Sequence, residues 1–107
     1  MHDPIVPATI TGLADHLGQS KLRTAFTRAQ NKINLFLHQA KGGDALAAEV
    51  HLSDEQRGVL KLLGQDMLDK YKNMLSAGYT KPGDQKDFDF HLGLVNQNLN
   101  PSDQLCL

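Results

Sequence analysis

The stretch from Ser20 to Lys41, SKLRTAFTRAQNKINLFLHQAK, decides the fold class. Leu22, Ala25, Phe26, Ala29, Ile33, Phe36, Leu37 and Ala40 recur at the three- and four-residue spacing of one helical face. Gly42-Gly43 end the pattern, because glycine accepts the left-handed conformation of a helix cap without a Cβ clash. Leu35 falls on the opposite face, where a large apolar residue is a contact signal rather than core.

Towards the C-terminus, Asp44 is placed to cap a short Ala-rich turn that runs to about His51. A second strong helix starts at Ser53. Ser53 and Gln56 have the capping-box spacing, and Asp54 and Glu55 put negative charge at the positive end of the helix dipole. Its stripe is Val59, Leu60, Leu63, Met67, Leu68, Tyr71, Met74 and Leu75, and it stops at Gly78. Gly58 and Gly64 each cost this helix up to about 1 kcal/mol relative to Ala and read as tolerated. Tyr79 to Gly83 is a turn by composition. The segment 84–99 supports two geometries. Phe88, Leu92, Val95 and Leu99 fit a helix capped by Asp84, whereas Phe88, Phe90, Leu92 and Leu94 alternate as in a strand. Helix is the stronger reading.

Towards the N-terminus, Gly18 reads as the stop of a short helix over Thr11–Leu17, with Ser20 as the next N-cap. The expected organisation is an extended lead-in over 1–10, one helical domain over 11–99 and a tail over 100–107. The fold class is therefore all-α, a small bundle of three main helices plus one short helix.

Composition agrees. In 107 residues, hydrophobic content is 40%, Trp is absent and Leu and Ala dominate the apolar set, which favours helices. Net charge is −1, so the chain as a whole has no polyanion-binding signature. Cys106 is the single cysteine, which excludes an internal disulfide and a Cys-based metal cage. The start lacks the basic-then-apolar pattern of a signal peptide, no apolar run can span a bilayer, and a cytoplasmic location is expected.

Sites of chemistry are sparse. None of the five histidines pairs with another at the i, i+4 spacing that puts two imidazoles on one helical face. Asp87, Asp89 and His91 would share one side of a strand, as an oxygen-rich half-site at most. Glu49 and Glu55 lie in no apolar setting, and Cys106 sits in the tail with no base held beside it. No catalytic residue, cofactor, metal or small-molecule substrate is expected. Nucleic-acid binding is the alternative, because His16 to Gly43 carries five basic residues and no acidic one. Leu13 to Lys21 resembles the opening of a helix-turn-helix, so a degenerate motif at about 11–32 would use Lys21, Arg23, Arg28 and Lys32. The leading expectation is a non-catalytic interaction module (subunit, adaptor, chaperone-like or inhibitory protein) that binds a protein partner or a second copy through Phe88, Phe90, Leu92, Leu94 and Leu35. No membrane contact is expected.

Overall fold

In the computed structural model three helices pack as a small bundle around an aromatic centre. The structure describes residues 5–47 and 49–107, with side chains from Leu17 onward. Helix α1 spans Ile5–Ala40, α2 Asp54–Ala77 and α3 Pro82–Gln97, followed by a 3-10 turn over Pro101–Asp103. No strand occurs among the described residues, so the segment after Pro82 is helical.

Each strong start and stop has the chemistry its sequence promised. The Ser53 side chain accepts from the Gln56 amide at 3.1 Å and the Gln56 side chain accepts from the Ser53 amide at 2.9 Å. Gly42, Gly43 and Gly78 all have positive φ, and Gly78 is the left-handed cap of α2. On α1, Phe26, Ala29, Ile33 and Leu37 are buried, and Leu22, Phe36 and Ala40 pack against them. On α2, Leu60, Met67, Leu68, Tyr71 and Met74 are buried, whereas Val59 and Leu75, at the edges of the expected stripe, are exposed.

Each helix contributes one ring to the centre. Tyr71 stacks on Phe88 with centroids 4.2 Å apart and meets Phe26 at 5.5 Å. Burial, with the Asp89 and Asp84 carboxylates adding to it, pushes the Tyr71 phenol above its ordinary range. Phe26 lies opposite Tyr71 and Gly18 opposite Tyr79, so α2 runs antiparallel to α1. Arg23 meets Asp84 and Asn34 meets His91, so positions on α1 and α3 rise together and those two helices are parallel.

Two expectations are corrected here. The break at Gly18 is absent: α1 runs unbroken from Ile5, so the short helix is merged into it and part of the lead-in is helical. Residues 1–4 lie outside the described residues. Glycine inside a helix costs only about 1 kcal/mol. That cost is small beside the packing of the rest of α1 on the core and its Arg23 ion pair to α3. The C-terminal segment is not a free tail. Asn96 brackets Leu105, donating to its carbonyl at 2.7 Å and accepting from its amide at 2.8 Å, while Lys61 pairs with Asp103 at 3.0 Å. Leu105 then packs on the core beside Gly64. A Cβ on Gly64 would lie 2.8 Å from Val95 Cγ1 and 2.9 Å from Leu105 Cδ1, so this glycine is required by close packing. Gly58 faces open space and is the tolerated one.

Candidate functional site: the seam between α1 and α3

Parallel helices α1 and α3 are joined by polar contacts at Arg23–Asp84 and Asn34–His91, and an apolar groove lies beside the second of these. At the lower end the Arg23 guanidinium grips the Asp84 carboxylate with two bonds of 2.8 Å and also donates to the Tyr79 carbonyl at 2.8 Å. Asp84 is the third residue of α3, not its cap, and it accepts from the Lys81 amide at 2.8 Å. The Arg23 bonds, more than burial opposes them, hold the Asp84 carboxyl below the usual carboxylate range. Farther up, buried His91 is held at both ring nitrogens. Nδ1 donates to the Asp87 carbonyl at 2.8 Å and Nε2 accepts from Asn34 Nδ2 at 3.0 Å.

Beside this pair lies a groove lined by Asn34, Leu35 and His38 of α1, Ala45 and Leu46 of the connection, and Phe90 and Leu94 of α3. Leu35 and Leu46 are each 58% exposed and Phe90 is 56% exposed. Three large apolar side chains from three separate segments therefore converge on one solvent-open surface. No lining residue carries a permanent charge.

The residues expected to bind a partner divide accordingly. Leu35 and Phe90 come together in the groove although they are far apart in sequence, and Leu94 is buried beneath them as its floor. Phe88 is a correction: it is 2% exposed and belongs to the aromatic centre, not to the surface. Leu92 is likewise corrected, since it is half-buried against the core. The reason is the helical geometry of α3. A strand would have put Phe88, Phe90, Leu92 and Leu94 on one face, whereas the 100° helical step sends them different ways. For the same reason Asp87, Asp89 and His91 form no shared ligand set, and no cluster of metal-ligating side chains occurs among the described residues. Leu46 was missed, because a lone leucine in a connection has no periodicity to mark it.

The basic residues also separate. Arg23 is corrected from a nucleic-acid contact to the structural clamp on Asp84. Lys21, Arg28 and Lys32 are exposed, and Lys21 and Arg28 edge a shallow depression with Leu17 and Thr24. The expected helix-turn-helix is not formed, since α1 has no turn anywhere in 11–32. No described helix is long and apolar enough to cross a membrane. No protein-family profile, curated protein or solved structure matches this chain.

Proposed function

We propose that this protein is a non-catalytic protein–protein interaction module that receives an amphipathic helix of a partner in the groove between α1 and α3. The carrying observation is the convergence of Leu35, Leu46 and Phe90 on one uncharged, solvent-open surface. Together these half-exposed side chains offer roughly 300 Å² of apolar area, against about 800 Å² per partner in a standard stable interface. That size suits one helix face with two anchoring side chains better than a rigid two-fold dimer. Direction follows from dipoles: α1 and α3 are parallel, so a guest helix antiparallel to both opposes two aligned macrodipoles and completes a four-helix arrangement.

The test is a double variant, Leu35→Ser with Phe90→Ser, compared with the parent by circular dichroism, sedimentation equilibrium and partner pull-down. Unchanged helicity with loss of a specific complex supports the reading. A parent that forms no complex at all, or a variant that keeps every complex, overturns it. Self-association lost in the variant would assign the groove to a second copy instead.

The alternative reading, nucleic-acid binding, is favoured by one observation: Lys21, Arg28 and Lys32 are exposed and none forms an ion pair among the described residues. With about three phosphate contacts, duplex affinity would be weak and would fall with a log–log salt slope near −3. Binding without that slope, or with a slope unchanged by Lys21→Ala, Arg28→Ala and Lys32→Ala, counts against it.

A further inference from the structure

We propose that the hollow at the carboxyl ends of α1 and α3 is a binding site for a small oxyanion, a phosphate or a carboxylate. It has a volume of about 280 Å³, room enough for a small anion with part of its hydration shell. Lys41, His51, Arg57 and Asn100 supply its polar wall, Leu52 and Leu99 supply apolar surface, and no Asp or Glu lines it.

Lys41 carries the inference. It is 95% buried, yet its ammonium has one protein acceptor, the Ala47 carbonyl at 2.9 Å, and no carboxylate partner among the described residues. An ammonium has three donors, and a buried cation met by one neutral carbonyl keeps most of its desolvation cost. Arg57 stands on the same wall. Its guanidinium donates to the Leu52 carbonyl at 2.5 Å and pairs with Asp54, whose side chain is turned to solvent, which leaves three of its five N–H donors. A lysine and a forked guanidinium around one acid-free hollow is the donor set that oxyanions fit. The negative carboxyl ends of α1 and α3 stabilise Lys41 and oppose the guest, so binding is weak.

The full chain is titrated with sodium phosphate, and separately with sodium acetate, against sodium chloride of equal ionic strength, following backbone amide signals by nuclear magnetic resonance. The expected result is a saturable shift confined to Lys41, Ala47, Val50–Arg57 and Gln97–Asn100, weakened at least fivefold in Lys41→Met and in Arg57→Gln. Saturation by phosphate alone assigns a phosphate site, and saturation by both assigns a general oxyanion site. Should Lys41→Met fail to fold, Arg57→Gln at the rim carries the same fivefold criterion. Shifts that follow chloride, that spread over the exposed lysines, or that persist at full strength in the folded variants overturn the proposal. Lys41 would then be no more than a brace between the end of α1 and Ala47.

Discussion

Phe88 and Phe90 stand two residues apart on α3, one 2% and the other 56% exposed. They separate a closed region, where Phe26, Tyr71 and Phe88 lock three helices together, from an open one, where Leu35, Leu46 and Phe90 surround an apolar groove. Composition does not distinguish the two regions. What does is coverage: the closed centre has α2 across it, whereas among the described residues no helix lies over the upper seam between α1 and α3. In a three-helix bundle, then, a large apolar residue is core only where another element lies over it.

The comparison breaks most easily at its closed end. Phe88→Ala removes a ring stacked on Tyr71 and should cost about 3–5 kcal/mol, read from denaturant unfolding. A loss below about 1 kcal/mol would mean that the aromatic centre is not the keystone described here.

Next in size is the clamp that sets how closely α1 and α3 approach. Asp84→Asn removes a carboxylate that receives two bonds from Arg23 and should cost about 2 kcal/mol. Because the native Asp84 carboxyl lies below its unfolded value, its contribution is complete above about pH 3.9 and is lost as pH falls through the native value. Parent and variant should therefore differ most in melting temperature near neutrality and converge below about pH 4. Parallel curves down to pH 2 would contradict the ion pair.

A smaller effect comes from the two glycines of α2. Gly64→Ala should destabilise by about 1–2 kcal/mol, since Val95 and Leu105 must move. Gly58→Ala, into open space, should stabilise by up to about 1 kcal/mol. Equal effects at both positions would show that the docked C-terminal segment is not held against α2.

Much of this fold is legible in the residues themselves. The stripe of α1, the capping box at Ser53 and the glycine cap at Gly78 are local signals, and the structure follows them. Leu35 was legible as an outward leucine because a helical phase defines an outside as well as an inside. What was not legible depends on partners distant in sequence. Arg23 reads as a free cation until Asp84, on the third helix, comes alongside it. Gly18 and Ser20 read as a helix boundary, yet α1 runs unbroken through them. Gly64 reads as a defect until Leu105 folds back. Half of the groove was legible through Leu35 and Phe90, while Leu46 enters it from an aperiodic connection.

The smallest effect on stability carries the central claim. Leu35→Ser with Phe90→Ser should change folding free energy by no more than about 1 kcal/mol in total, since each side chain is more than half in water and each site takes a weaker helix former. The direct measurement is photo-crosslinking from a benzoylphenylalanine placed at position 90, with position 62 on α2, where Leu62 is 72% exposed, as the control. A discrete adduct is expected from position 90 alone, mapped to a helical segment of one partner. Unlabelled parent should compete it away, and the double variant should not. Equal adducts from both positions, or none from position 90, would contradict the groove as the partner-binding surface.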